Sequence, residues 1–528
     1  MWLILIFIAL MLLIYKGQNS LNYWRDRGVK QMSIYTFIKG NIKFFLKKDS
    51  MAENIMDTYK SFTNCRYAGV YQFTLPVLMI RDPELLKELT VKSFEHFTDH
   101  FNIITEEIEP LWAKNLFVLK GQKWRSMRQV LSPSFTSSKM KILFKLISEC
   151  AQNFTRHFLE NEQDVVEIEL KDTFTRFTND VIATSAFGIQ TDSLKNKENE
   201  FYVMGKRLTS FTGGFLTMLR FFLLVLCPKM YKFLKLGIFK PEVKSFFINL
   251  VNDNIKERKE KGIVRPDMLH LLLEAQKGVV LKEEIITDNS FAVQEESTSE
   301  ETGIPKHVNK LTDEDITSQA LIFFFAGFDT VATLMCFMGY ELAIHPDTQT
   351  KLRNEIQETL DEYQGQLTYE VLLKMKYLDM VVSESLRKWP ANVVVDRECT
   401  KDYTIQPKLP GEVALHLPEK SSVWLPIIGI HRDPEFYPDP EKFDPERFSD
   451  ENKHKINPYA YLPFGLGPRN CIGSRFALLE IKIVFFHLLQ NFELVPTTKS
   501  QIPLKISRQS FTLNAEGGFW FGLKRLQN

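Results

Sequence analysis

One short segment narrows what this chain can fold around. Residues 463–473 read Pro463-Phe464-Gly465-Leu466-Gly467-Pro468-Arg469-Asn470-Cys471-Ile472-Gly473, directly before the apolar run Phe476-Ala477-Leu478-Leu479. Glycine lets a backbone take positive φ and lets a bulky flat group come close. Arg469 stands two residues before the cysteine, ready for an anionic group. A thiolate on a rigid loop beside a cation, where a helix opens, is a metal-ligand arrangement.

Other readings of the loop fail in turn. A dinucleotide fingerprint needs Gly-x-Gly-x-x-Gly after a strand; Gly465 and Gly467 supply two glycines, but the third position is Asn470. Iron–sulfur and zinc sites need paired cysteines, and Cys65, Cys150, Cys227, Cys336, Cys399 and Cys471 include no Cys-x-x-Cys. A buried structural thiol is the default for the first five and the alternative for Cys471. The spacing Phe464-x-x-Gly467-x-Arg469-x-Cys471-x-Gly473 resembles the haem-binding loop of the cytochromes P-450. In that family the cysteine thiolate is the proximal ligand of haem iron, and its electron donation favours O–O cleavage.

The chain has 528 residues, of which 44% are hydrophobic and 25% charged, an ordinary globular balance. A net charge of +1 provides no global field for nucleic acid. Six cysteines without paired spacing suit a reducing compartment. Met1 to Tyr15 is unbroken apolar sequence followed by Lys16. At 1.5 Å per residue it reaches about 22 Å, short of a ~30 Å hydrocarbon core. Extension through Leu21, Tyr23 and Trp24 supplies the length and interfacial aromatics, and the endoplasmic reticulum bilayer is thinner than average. A cleaved signal peptide would want a basic start and a small-residue cleavage site. Lys16, Arg25, Arg27 and Lys30 all follow the segment, so they should stay cytosolic. The expectation is one membrane anchor over residues 1–24 and a cytosolic domain over 25–528.

Helical periodicity dominates from about Glu84. Strand-like material is confined to Val70–Leu75, Val77–Ile80 and Val423–Ile428, which predicts a mainly α fold with a small β region. Residues 282–310, acidic and rich in Ser, Thr and Glu, predict an exposed, disordered loop. A strong helix follows from Glu314 to Leu342. Phe221 to Phe239, apolar with Lys229, Lys232 and Lys235, reads equally as core or as a segment dipping into a bilayer surface; the resemblance tips it toward membrane contact.

Three further constellations accompany the loop. Glu384 and Arg387 share a helical face among Leu378, Met380, Val381, Val382 and Trp389, so burial would demand full hydrogen bonding. The family pattern joins them to Arg447 in a structural network beneath haem. In Ala326-Gly327-Phe328-Asp329-Thr330, small residues would let a flat cofactor approach, and the Thr330 hydroxyl can bond the Ala326 carbonyl. An acid beside a hydroxyl can relay protons; Val331 stands where many relatives carry a second hydroxyl. Trp124 and Arg128 lie at i and i+4, and fit by type as donors to two buried propionates. The resemblance adds Arg397 and Arg469 to that set. Seen alone, each constellation has a plain structural reading: a surface ion pair, a helix kink, or a Trp–Arg packing pair.

Asn179-Asp180-Val181-Ile182, Arg265-Pro266-Asp267-Met268 and His431-Arg432-Asp433-Pro434 also look like family segments in their usual order. The likeness runs from about Tyr23 to Arg525. It is nearest to the animal microsomal, xenobiotic-metabolising clan and, within it, an insect-type detoxification family, although the linker lacks the proline cluster of many members. The resemblance implies the cytochrome P-450 fold with an N-terminal anchor helix, haem b (iron protoporphyrin IX) on Cys471, and residence in the endoplasmic reticulum membrane. It implies insertion of one oxygen atom of O₂ into lipophilic substrates such as xenobiotics, plant toxins, insecticides or endogenous lipids. Electrons would come from NADPH–cytochrome P-450 reductase, with cytochrome b5 as a second candidate donor and Lys123 and Arg125 as candidate docking contacts. Phe101, Phe323, Phe324, Val393, Val394 and Phe511 fall where relatives line the substrate cavity; they could equally be core. Two other classes stay open: an electron-independent haem-thiolate isomerase or dehydratase, against which the Asp329-Thr330 pair argues, and a non-catalytic haem protein.

Overall fold

A computed structural model describes residues 21–45, 49–72, 75–209, 220, 223–225, 228–234, 236–265, 267–276, 290–292, 311–508 and 512–526. Seven helices place the site: α1 (Gly121–Leu131), α2 (Ser137–Leu159), α3 (Leu170–Ile182), α4 (Pro241–Lys261), α5 (Asp313–Ile344), α6 (Lys376–Lys388) and α7 (Ser474–Asn491). Among the described residues, nine short strands make three small sheets: β1 (Tyr67–Gln72), β2 (Leu75–Ile80), β3 (Val165–Glu169), β4 (Val395–Glu398), β5 (Tyr403–Ile405), β6 (Leu415–Leu417), β7 (Ser422–Leu425), β8 (Phe492–Pro496) and β9 (Trp520–Arg525). The largest sheet runs β1-β2-β7-β4, with β2 and β7 parallel; the others are β3-β9-β8 and β5-β6.

The expected mainly helical architecture is found. Helix α5 is its axis. It starts at a capping box, where Thr312 accepts from the Asp315 N–H and Asp315 from the Thr312 N–H. Apolar residues all round it mean burial on every side, and most of its length lies in the core. Among the described residues it alone is long and apolar enough to cross a membrane, yet it packs against α3, α6 and α7 inside the protein.

Several expectations change at their edges. Residues 1–20 and Phe511 lie outside the described residues. Leu21, Tyr23 and Trp24, expected to finish an anchor, belong to the folded body. Trp24 is buried and donates Nε1–H to the Val70 carbonyl at 3.2 Å. A Cβ on Gly69 would stand 2.3 Å from the Trp24 ring, so the glycine is what seats the indole on β1. Within residues 282–310, Ser290, Phe291 and Ala292 are docked and not exposed. Ser290 donates to Asp379 at 2.6 Å, and Phe291 packs on Phe448 and Tyr461. The rest of residues 282–310 lies outside the described residues. The unpredicted strands β3, β4, β5, β6, β8 and β9 are three to six residues long, too short to show a period.

Candidate functional site

Gly465 and Gly467 adopt φ of 81° and 68°. A Cβ on Gly467 would lie 2.0 Å from the Thr90 carbonyl oxygen, so this position tolerates no side chain. The turn closes with Cys471 donating its N–H to the Phe464 carbonyl at 2.8 Å, and Gly473 caps α7. The Cys471 side chain is accessible, although protein atoms enclose it. It therefore faces an interior cleft and not the outer surface. Burial pushes its thiol up, while the Gly473 backbone N–H and the charge of Arg128 pull it down.

Two networks hold the loop from behind. Arg387 donates to both oxygens of Glu384 at 2.7 and 2.8 Å and to the His431 carbonyl at 2.9 Å, and both ionic side chains are fully buried. The Asp444 N–H completes the carboxylate at 2.9 Å, with Arg447 at 3.6 Å. Glu384, Arg387 and Arg447 thus meet as expected. Sequence reasoning missed the next link. His431 is buried, its ring pushed down to about 3 by burial and by Arg387. It is neutral, accepts the Leu462 N–H on Nε2 at 2.7 Å, and donates from Nδ1 to the Arg387 carbonyl at 3.0 Å. Tyr461 stacks on it and donates to the Ser383 carbonyl at 3.0 Å. Both ties join α6 to the start of the cysteine loop. No local pattern reveals a partner 31 residues away; the one signal was a histidine in an apolar run, Ile427 to Ile430.

Three arginines converge on the other side of the loop. Arg469 donates to the carbonyls of Thr98, Leu116 and Leu119 at 2.7, 3.2 and 2.5 Å, and lies 4.3 Å over the Trp124 ring. Arg128 holds the carbonyl and side-chain oxygen of Asn470 at 3.0 and 2.7 Å. Arg397 is buried on β4, donating to the Asp396 and Leu466 carbonyls, and its Nε has no hydrogen-bond partner. Burial brings Arg397 down to about 10, opposed by Asp396. Burial brings Arg469 down to about 9, with Arg397 and Arg128 adding to the effect and Asp99 opposing it. Asp396 is itself occupied by His100 at 3.2 Å and the Phe101 N–H at 2.5 Å. A buried cation cluster with an orphaned guanidinium nitrogen calls for anionic oxygens. Trp124, Arg128, Arg397 and Arg469 are brought together as the sequence implied. With an accessible thiol beside them, they fit a flat, dianionic, iron-bearing group such as haem.

Helix α5 comes near the loop through Phe135, which lies beside Gly473 and packs edge-on against Phe323. Thr330 donates to the Ala326 carbonyl at 2.6 Å. Ala326 is exposed in mid-helix, so the face carrying residues 326 and 330 opens on an interior cleft. Gly327 does not share that face: a Cβ there would stand 2.9 Å from Ile182 on α3, so its smallness serves helix packing. Asp329 pairs with Lys171 of α3 at 2.8 Å, a partner the sequence did not disclose. Phe324 is fully buried among Phe201, Phe247 and Phe328 at ring distances of 5.0–5.1 Å, and is core, not cleft lining. Phe323 packs edge-on against Phe135; Phe101, Phe323 and Val394 are partly exposed and Val393 is buried. Lys123 is exposed, whereas one guanidinium nitrogen of Arg125 bonds both carboxylate oxygens of Glu95.

A helical body built around a cysteine loop, an arginine cradle and a threonine-bearing helix defines a haem-thiolate class of enzyme. Comparison with known proteins agrees. The family model described as Cytochrome P450 matches residues 34–520, and the chain belongs to that family. Cytochrome P450 9e2 of Blattella germanica is 46% identical, covering 97% of this chain and 95% of its own length. Probable cytochrome P450 9f2 of Drosophila melanogaster is 41% identical over 97% and 96% of the two chains. Cytochrome P450 6k1 of Blattella germanica is 37% identical over 94% and 91%. These are the insect-type relatives that the motifs implied, and the chain is a haem-binding monooxygenase oxidoreductase.

Proposed function

We propose that this enzyme inserts one oxygen atom of O₂ into lipophilic foreign compounds, using haem b held by Cys471 and electrons from NADPH–cytochrome P-450 reductase, with cytochrome b5 as an accessory donor. The observation that carries the reading is the Cys471 side chain, enclosed by the fold yet accessible, beside the Arg128, Arg397 and Arg469 cluster. Haem supplies the oxygen and redox chemistry that no side chain has. The protein holds and tunes it. Cys471 is the iron ligand. Gly473 directs a backbone N–H at its sulfur and lowers the cost of the thiolate. Arg397 offers its orphaned Nε to a propionate, and Arg128 and Arg469 add charge. Trp124 fixes Arg469 by stacking. Phe464 closes the loop through its carbonyl. Glu384, Arg387 and Arg447 keep the loop in shape and do no chemistry.

Asp329 and Thr330 move protons at the cleft. The Thr330 hydroxyl is held by the Ala326 carbonyl with its oxygen free to accept on the cleft side. Phe323 and Val394, both half-buried, give the cleft an apolar lining, which favours lipophilic substrates, whereas Phe101 lines a separate cavity beside Trp24 and Gln72. Lys123, exposed and only loosely paired with Glu106 at 3.8 Å, is the candidate contact for an acidic electron-donor surface; Arg125 is committed to Glu95. The apolar segment that begins at Met1 is the anchor, in the endoplasmic reticulum membrane, and it does not extend to Trp24 as expected. Phe233, Leu234 and Met230, at 83%, 51% and 46% exposure, form a second apolar contact with the bilayer.

The test is turnover of a panel of lipophilic compounds under ¹⁸O₂, with NADPH and a diflavin reductase. Products carrying one labelled oxygen, formed only with both additions, are expected. Product formed without NADPH, or without label, would overturn the reading.

A further inference from the structure

Lysine is an odd choice for the first turn of α3. A helix N-terminus repels cations, and the neighbouring residues obey that rule: Glu169 caps the helix and Asp172 sits in its first turn. Lys171 breaks it. Its ammonium group reaches across to α5 and uses all three N–H donors there. It bonds the Asp329 carboxylate at 2.8 Å, the Asp329 backbone carbonyl at 3.1 Å and the Thr333 hydroxyl at 2.6 Å. One α3 cation thus grips one turn of α5 by side chain and backbone together. A second grip lies seven residues on, where Thr178 donates to the Phe328 carbonyl at 2.8 Å.

The position of this grip matters. Asp329 and Thr330 are neighbours, so their side chains leave the helix about 100° apart. Thr330 shares a face with Ala326 and opens on the cleft. Asp329 shares a face with Thr333 and turns to α3. The Lys171 and Asp329 side chains are 19% and 29% exposed, so the pair is sheltered yet still reaches solvent. The acid and the hydroxyl therefore leave neighbouring faces of one helical turn, and Lys171 holds the acid.

We propose that Lys171 is a positioning residue for oxygen activation: it fixes the Asp329 carboxylate and the carbonyl of its own residue, so that the acid meets the Thr330 hydroxyl, or a water on it, from one constant place. This rests on the proposed role of Asp329 and Thr330 in proton movement. Lys171 touches neither haem nor substrate.

The experiment is a kinetic cycle on full-length enzyme with reductase, reading product and hydrogen peroxide per NADPH. Lys171→Met is expected to lower product per NADPH on the order of tenfold, below the ~10²-fold typical of a lost proton-transfer group, with KM unchanged. Lys171→Arg should restore most of it. In an Asp329→Asn background, Lys171→Met should cost nothing further, because the lysine acts through the acid. Amide hydrogen exchange gives a readout independent of turnover. In Lys171→Met, protection should fall over residues 326–334 and hold elsewhere in α5. Equal losses from Lys171→Met in both backgrounds, or unchanged coupling, would overturn the proposal. Thr330→Ala separates this from the underlying reading. If Thr330→Ala raises peroxide release and Lys171→Met does not, only the positioning role fails; if neither does, the proton-movement reading itself fails.

Discussion

Glu384 carries a carboxylate with no solvent exposure and survives there because three donors surround it, two from Arg387 and the Asp444 N–H, with the Arg447 guanidinium charge 3.6 Å away. Burial still pushes it upward, with Arg387 as the largest opposing influence. Removing one partner of such a pair strands the other charge, at about 3–5 kcal/mol. Glu384→Ala should therefore lower the urea midpoint and leave protein that retains little haem. Wild-type stability with full haem content would show that the network does not support the cysteine loop. His431 makes a matching case. Replacing it by Phe leaves the Leu462 N–H without an acceptor, at about 1–3 kcal/mol. Haem retention should fall with stability, while a distant core variant of equal cost should keep its haem.

At the scale of elements, the cysteine loop is shaped by what it cannot accommodate. Gly467→Ala combines a positive φ with a backbone oxygen at 2.0 Å. The loop must move bodily away from Thr90, and we expect a loss above about 2 kcal/mol together with a displaced Soret maximum. A variant with unchanged spectrum and melting would mean that the loop is softer than its geometry states. The loop was the most legible element because its constraints are local: glycines, a cation and a cysteine within eleven residues. Helix α5 was legible from its apolar length alone, and extends two residues beyond Leu342. Short strands were not. β4 is a strand because it pairs with β7, Arg397 opposite Val423, and nothing in its four residues says so, whereas the apolar run from Val423 marked β7. Gly327 was misread for a related reason. A glycine in mid-helix says that something comes close, but only the fold says that it is Ile182. The pairing of Asp329 with Lys171 spans 158 residues and is likewise set by the crossing of α3 and α5.

Across the whole molecule, buried histidines give the folded state an acid limit. His487 on α7 is buried, its Nε2 lacks a partner, and burial brings it down to about 4 from an ordinary 6.5. A base whose folded pKa is depressed loses nothing above 6.5, where both states are neutral. As pH falls from 6.5 toward 4, the unfolded chain takes a proton that the folded protein refuses. Stability then falls by about 1.4 kcal/mol per pH unit for each such histidine. His431, at about 3, extends the same trend lower. His487→Leu should flatten urea-derived stability against pH between 6.5 and 4 by close to one proton. An unaltered slope would mean that His487 is solvated. Fold and site are coupled through α7, which begins at the cysteine loop and ends in the β3-β9-β8 sheet region. Haem binding should accordingly raise the melting temperature of the entire body and not of one part.

The central claim is that Cys471, as thiolate, is the iron ligand in a cleft shaped for haem. The most direct test is the carbon monoxide difference spectrum of the dithionite-reduced, membrane-bound protein. A strongly red-shifted Soret band, abolished in Cys471→Ala with the fold intact, is the predicted result. A band at the ordinary histidine-haem position in wild-type protein, or folded protein without any haem signal, would contradict the account.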